Sequence, residues 1–412
     1  MPITISLSPN MQPDDLFIVF KTLFSPWRWS DGLINRKIVR LISSRLANRP
    51  TALVSSGRTA IYRTLEALNI GPGDEVIVQA FTCLAVPAPI IWRKAKPIFA
   101  DINLSTYNFN LVDVAKKISP RTKAIIVQHT FGLAGPVKEL RQLADQHHLT
   151  LIEDLSHCFG ASLKDQALGT FGHVAILSFG RDKTISCVFG GAVASFDAAF
   201  IQRVEQKQAQ LPSPPAWWVV QQLLHPLLMA IIIPLYFVGS LGKVLLVAAQ
   251  KMKLLSMAVT KAEKQGHQPP FIDWQFSSAL GFLLLNQLRK LSQFTTRRQT
   301  IAQRYFNRLP ISKQISPLNK PNWLRVPVRV KNRSSLLSRA KQQHVLLGNW
   351  YDHPITPVTA KSSNFIGYVV GSCPQAELAA ARTINLPTHP NLTDEQVDQI
   401  ASIMSTARWA RI

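Results

Sequence analysis

From Thr51 onward, short continuous runs of apolar and β-branched residues alternate with segments that repeat their apolar positions at helical spacing. "TALVSS" leads into "GRTAIYRTLEALNI", and the turn "GPGD" opens "EVIVQA". "KPIFADI" and "KAIIVQHT" follow, and "PVKELRQLADQHH" precedes "LTLIED". Strands that are apolar throughout, each separated from the next by a helix, indicate a mostly parallel sheet covered on both faces. The expected class is α/β.

After Phe196 the pattern changes. Gln208 to Gly242 contains no charged residue, and its most apolar part lies within "LLHPLLMAIIIPLYFVGSLGKVLLVAA". About 20 apolar residues would cross a bilayer. Pro226, Pro234, Gly239 and Gly242 break the run, which points to a bent or interfacial segment or, alternatively, to a buried helical pair or dimer contact. An amphipathic pattern returns with the basic helix "NQLRKLSQFTTRRQTIAQRYFNRL", the alternating strand "LRVPVRVK" and "NLPTHPNLTDEQVDQIASIM", where Thr393 and Gln396 have capping-box spacing. The expected organisation is a large domain over 1–293, including an apolar insert at 208–257, and a small α+β domain over 294–412.

Composition narrows the partners. The 412 residues carry 46 Lys and Arg against 23 Asp and Glu, a net charge of +23, which favours anionic ligands or surfaces. The basic residues are dispersed and no zinc-finger or aromatic RNA-binding motif occurs, so no nucleic-acid partner is expected. Cys83, Cys158, Cys187 and Cys373 are far apart, so they are read as reduced thiols rather than as a metal or disulfide framework. The opening "MPITISLSPNMQPDD" lacks a secretory pattern, so a cytoplasmic location is expected.

The candidate chemistry sits at strand ends. "SSGRTA" places Ser56, Gly57 and Arg58 where a strand meets a helix, a natural anion pocket. "LIEDLSHCFGA" ends a strand with Glu153 and Asp154, whose side chains alternate, so one of them can enter a given site. "SFGRDKTIS" brings Ser178 and Lys183 to the ligand-binding edge of the sheet. Lys183 is there either a solvated loop charge or an amine that loses its proton readily enough to act as a nucleophile.

Taken together, "SSGRTAIYRTLEAL", "GPGDEVIVQAFTCLAVPAPI", "KPIFADINLSTYNFN", "PRTKAIIVQHTFG", "IEDLSHCFGA", "SFGRDKTI", "GGAVAS" and "NLPTHPNLTDEQVDQI" resemble the DegT/DnrJ/EryC1/StrS family of sugar aminotransferases. The resemblance implies a fold type I enzyme that uses pyridoxal 5'-phosphate, aminates a keto sugar with a donor such as glutamate, and works as a homodimer. It implies that Lys183 is the Schiff-base lysine and that Asp154 pairs with the pyridine nitrogen. His157 would lie beside the phenolic oxygen, and Ser178 with the Gly57 and Arg58 backbone would hold the phosphate. Cys83 stands where relatives carry an aromatic ring over the cofactor, Phe189 where they carry a glutamate, and Asp273 and Gln275 lie where a partner subunit often supplies asparagine and arginine. The expected product is an amino sugar for cell-surface polysaccharide or glycolipid, from a nucleotide-linked or lipid-linked acceptor. The apolar insert at 217–249 would rest on the inner face of a membrane. The alternative is a membrane-associated scaffold or regulatory protein that keeps the fold without turnover.

Overall fold

The computed structural model describes residues 2–318, 320–357 and 365–410. A seven-stranded sheet organises the larger part of the chain. Its strands are β1 (Thr51–Val54), β2 (Glu75–Gln79), β3 (Lys96–Ala100), β4 (Thr122–Gln128), β5 (Thr150–Asp154), β6 (Val174–Ser178) and β7 (Gly191–Ser195). Their spatial order is β1-β7-β6-β5-β4-β2-β3. All neighbours pair in parallel except β7, which runs antiparallel to both β6 and β1. These are the apolar runs of the sequence, and nearly every residue in them is buried. One apolar cluster fills each face of the sheet, as a sheet with two covered faces requires.

Helices α1 (Pro13–Leu23), α2 (Gly32–Arg45), α3 (Gly57–Ala67) and α4 (Val137–Gln146) precede a helical pair, α5 (Ala216–Ile232) and α6 (Leu241–Lys251). The next helix, α7 (Ser278–Arg308), runs 31 residues, about 46 Å. It is continuous across 293 and 294, so the boundary expected there lies inside a helix that links the two parts of the chain. Beyond it, β8 (Arg325–Arg329) pairs antiparallel with β9 (Thr383–Pro387), flanked by α8 (Arg333–Gln342) and α9 (Asp394–Met404). The α9 capping box forms as its spacing predicts, with Thr393 and Gln396 each accepting the other's backbone N–H. Residues near the start of the chain join this smaller part: Ile3 and Thr4 pair in parallel with Val345 and Leu346.

The apolar insert folds as a helical pair. Pro226 sits inside α5 and is buried. The turn between the helices closes tightly, because a Cβ on Gly242 would come within 2.5 Å of the Ile232 carbonyl oxygen. Met229, Ile232, Ala249 and Leu255 form its small core. Among the described residues no helix is long and apolar enough to cross a membrane.

Candidate active site

Three loops converge beyond the carboxyl ends of β1, β5 and β6. At the first, Ser56 caps α3 by accepting from the Thr59 N–H at 3.1 Å, leaving the Gly57 and Arg58 N–H groups without helical acceptors. The approach of this turn to β6 and β7 excludes side chains: a Cβ on Gly57 would lie 2.7 Å from the Ser178 Cβ, and one on Gly191 would lie 2.5 Å from the Ser56 carbonyl. Ser178 and the start of α3 therefore form one cradle, with helix-dipole charge and a hydroxyl suited to a phosphate.

At the second loop the strand alternation separates the acidic pair. Glu153 turns to the far side and is buried, accepting from the N–H groups of Gly169, Phe171 and Gly172 at 2.6–2.8 Å and lying 3.3 Å from His129. Burial opposes its ionisation, but His129 and the backbone donors outweigh burial and hold the carboxyl below its ordinary range. Its role is to fix the 169–172 turn. Asp154 is also buried, at 2 % exposure, and faces the site, anchored by the Ser156 N–H at 2.8 Å.

The third loop carries Lys183, half-buried above the sheet edge. Burial chiefly, with Arg325 adding to it, lowers the proton affinity of its amine, although Cys83, Asp154 and Asp182 act in the opposite direction. His157 is buried against Phe131, Trp350 and Tyr351, with near-parallel rings at 6.2, 5.6 and 6.4 Å. Burial, Lys183 and Arg325 push its pKa well down, so it is neutral at physiological pH. Its Nδ1 accepts from the Phe131 N–H at 3.3 Å, leaving Nε2 toward the Tyr351 hydroxyl at 3.5 Å.

Cys83, Asp154, His157, Ser178, Lys183 and the Ser56–Gly57 turn are thus gathered together. The Arg58 side chain is directed elsewhere: it forms an ion pair with Glu263 and packs over Phe271 and Phe189. Asp273 pairs with Arg63 at 2.9 Å, and Gln275 donates to the Leu211 carbonyl at 2.8 Å. Sequence reasoning missed Asn10, Arg298, Arg325, Trp350 and Tyr351, which come from distant segments. Trp350 covers His157, and its ring centroid lies 5.6 Å from Lys183 Nζ and 3.4 Å from the Arg325 guanidinium carbon. Tyr351 packs edge-on to Phe81 at 5.3 Å. The signal for Arg325 in the sequence is a charge opening a strand whose interior is apolar and which a second arginine, Arg329, closes.

A mostly parallel sheet with a buried carboxylate, a desolvated lysine and a phosphate cradle at one edge defines a cofactor-dependent α/β enzyme. The chain belongs to the DegT/DnrJ/EryC1/StrS aminotransferase family, whose model matches residues 19–211 and 247–405. It is 40 % identical over 187 residues to GDP-perosamine synthase of Vibrio cholerae, covering 45 % of this chain and 51 % of that protein. It is 24 % identical over 403 residues to the spore coat polysaccharide biosynthesis protein SpsC of Bacillus subtilis, covering 95 % and 94 % of the two chains. Its fold matches the aminotransferase TlmJ of Streptoalloteichus hindustanus with a TM-score of 0.73 at 22 % identity, over 96 % of this chain and 95 % of that one. The protein is therefore a sugar aminotransferase that depends on pyridoxal 5'-phosphate.

The residues present fit that cofactor. The cradle that a Cβ would fill suits its phosphate, the buried Asp154 carboxylate its ring nitrogen, neutral His157 its phenolic oxygen, and the Lys183 amine its aldehyde.

Proposed function

We propose that the protein transfers an amino group from glutamate to a nucleotide-linked keto sugar, giving an amino sugar for a cell-surface polysaccharide or glycolipid. The observation that carries this reading is the convergence of Lys183, Asp154 and His157 beside the Ser56–Gly57–Ser178 cradle. When bound, the cofactor supplies an electron sink for a carbanion and carries the amino group between substrates. The chain's own groups set the rest. Asp154, buried and anchored by the Ser156 N–H, would hold the ring nitrogen and favour its protonated form. His157, neutral and fixed by its contact with Phe131, orients without supplying charge. Lys183 Nζ would take the proton from the donor's α-carbon and later deliver one to the sugar's former keto carbon. Relatives support the acceptor class: the Vibrio cholerae protein is a GDP-perosamine synthase, and the Bacillus subtilis protein serves spore coat polysaccharide biosynthesis. Incubation of the cofactor-loaded protein with glutamate and a panel of nucleotide-linked keto sugars, read by mass spectrometry, tests the reading. An amino sugar is expected from at least one, and from none with Lys183→Ala. Absence of any amine overturns it.

The same proposal places the enzyme as a homodimer on the cytoplasmic face of a membrane, with the insert as its contact. The family model skips residues 212–246, so most of this helical pair belongs to this chain rather than to the shared fold. No acidic residue occurs between Glu205 and Glu263, while Lys243, Lys251 and Lys253 flank exposed Val244, Val247 and Met252. Helix α1 packs on α5 and exposes Phe17 and Phe20, followed by Phe24 and Trp27. Basic residues around exposed apolar ones match an anionic lipid surface. Binding of the full chain to phosphatidylserine-containing vesicles, and none to neutral ones, is expected. A stable dimer in solution that ignores both vesicles would assign the same face to a second copy.

A further inference from the structure

Lys183 stands in the connection between β6 and β7, whose backbone bonds lie at its neck: the Phe179 N–H donates to the Gly190 carbonyl at 2.8 Å and the Cys187 N–H to the Phe179 carbonyl at 3.0 Å. At the tip the Lys183 N–H makes a long bond, 3.3 Å, to the Gly180 carbonyl. Side chains from elsewhere hold this tip from two sides. On one side Asn10 Nδ2 donates to the Lys183 and Thr184 carbonyls at 2.8 and 3.1 Å, and Asn10 Oδ1 accepts from Arg298 Nη2 at 2.7 Å, beside a cavity of about 10 Å³ that Arg325 also lines. On the other side the half-buried Arg181 reaches into the apolar insert, where its Nη1 donates to the Ser256 carbonyl at 2.6 Å and its Nη2 to the Ser256 hydroxyl. A row of polar groups continues inward. Ser256 Oγ donates to Gln222 Oε1 at 2.7 Å, Gln222 Nε2 to Gln221 Oε1 at 3.1 Å, and Gln221 Nε2 to the Lys253 carbonyl at 2.5 Å. Gln221 and Gln222 are buried on α5, within the residues 212–246 that the family model skips.

Arg181 has nothing to fall back on if this contact is lost. Its Nε is closed off from solvent without a partner, and although burial draws the guanidinium down to about 10, it remains a cation at neutral pH. A charged group in such a place is held firmly by the acceptors it has, because leaving them unmade is costly. The main influences on the Lys183 amine are burial, Cys83, Asp154, Asp182 and Arg325, so what Arg181 controls is the placement of the turn two residues away rather than the charge at the amine. A reacting group carried on a loop needs such outside support, and a displacement of about 1 Å can cost on the order of 100-fold in rate. We infer that Arg181 is a positioning residue for Lys183: seated on Ser256 and, through it, on Gln222, it fixes the 180–184 turn, so that the inner edge of the insert serves the catalytic loop. This role rests on the aminotransferase reading, which makes Lys183 the cofactor's anchor, and is independent of what covers the outer face of the insert.

The test follows hydrogen exchange of the full chain, with and without pyridoxal 5'-phosphate, and the visible circular dichroism of the bound cofactor. Ser256→Ala keeps the Ser256 carbonyl and removes one hydrogen bond to a charged group, so exchange at the Lys183 and Cys187 amides should rise about 10- to 150-fold. Exchange along β5 should stay at the wild-type rate. Arg181→Gln should give a larger rise, and Arg181→Lys, which keeps one donor, should fall between wild type and Arg181→Gln. The dichroism of the cofactor band should change in the same order, because it reports how the lysine presents the ring. With saturating glutamate the absorbance change should slow, while the glutamate concentration giving half the effect stays at the wild-type value. A rise in exchange along β5 equal to that at Lys183 would show general loosening and overturn the inference, as would wild-type exchange and dichroism in both Ser256→Ala and Arg181→Gln. The exchange measurement needs neither cofactor nor keto sugar, so a protein that aminates nothing would refute the functional reading while the loop amides still decide this one. Should Arg181→Gln not fold, Ser256→Ala combined with Gln222→Leu carries the same comparison.

Discussion

The strand-end site and the helical insert are built by opposite rules. At Gly57 and Gly191 the backbones approach so closely that one added methyl would meet its neighbour at 2.7 or 2.5 Å. In the insert, Val244, Val247 and Met252 are 62, 49 and 63 % exposed, an arrangement that would favour some external cover. The first region is determined by contacts within the chain and is shared with the family. The second is incomplete by itself, and the family model skips most of it. Tolerance to substitution should differ accordingly.

The largest expected effect is at Lys183. Lys183→Ala should abolish transamination while leaving the thermal transition in place, and borohydride reduction of the wild type should attach the cofactor to Lys183; attachment to a different lysine would break the assignment. Next is Gly57→Ala, in which the new methyl must displace Ser178. Overpacking of this kind costs about 1–3 kcal/mol, and the cradle should also lose phosphate affinity, visible as release of cofactor on dilution. Ser178→Ala removes one hydrogen bond to a charged phosphate, about 1.5–3 kcal/mol, so the cofactor concentration needed for half-maximal activity should rise about 10- to 150-fold. The smallest effect is in the insert. Val244→Ser with Val247→Ser should shift folding stability by less than about 0.5 kcal/mol per site while vesicle binding falls. A large loss of stability would show that these side chains are buried in the working molecule.

A pH titration sharpens the contrast from the polar side. His157 and His225 are buried with proton affinities far below the ordinary value, and His389 is pulled down to about 3, burial being the main cause in each. The unfolded chain protonates these rings near pH 6.5 while the folded one does not. Their contribution is therefore fully present above about pH 6.5 and lost as pH falls, by about 1.4 kcal/mol per pH unit for each ring. Replacing His225 by Gln should flatten the acid limb of the melting curve without altering donor specificity.

Much of the fold was legible because its signals are local. Continuous apolar runs separated by helices announce a parallel sheet, and Thr393 with Gln396 announces a helix start within four residues. Lys183 and Asp154 stood out as candidates because one follows such a strand and the other ends one, although it was the resemblance rather than spacing that supplied their expected roles. Arg298, Arg325, Trp350 and Asn10 were not legible. Their meeting depends on α7 carrying the chain back across the sheet edge, and nothing near Arg325 in sequence distinguishes a charge facing a cavity from one facing water. The helical pair was weighed against a membrane-seated segment, and length and hydropathy alone do not separate the two; the close Gly242 turn that folds the insert back on itself depends on tertiary contact.

The Asn10 contact has a consequence for the order in which the molecule is assembled. Residues 3–10 are synthesised before all of their partners, which are Lys183, Thr184, Arg298, Arg325 and Val345. This early segment must wait, unplaced, until synthesis has passed Val345, far beyond the last strand of the central sheet at Gly191–Ser195. Completion of the Lys183 loop is thereby tied to synthesis of the smaller part, and a nascent chain arrested before β8 would carry every strand of the central sheet without a finished catalytic centre.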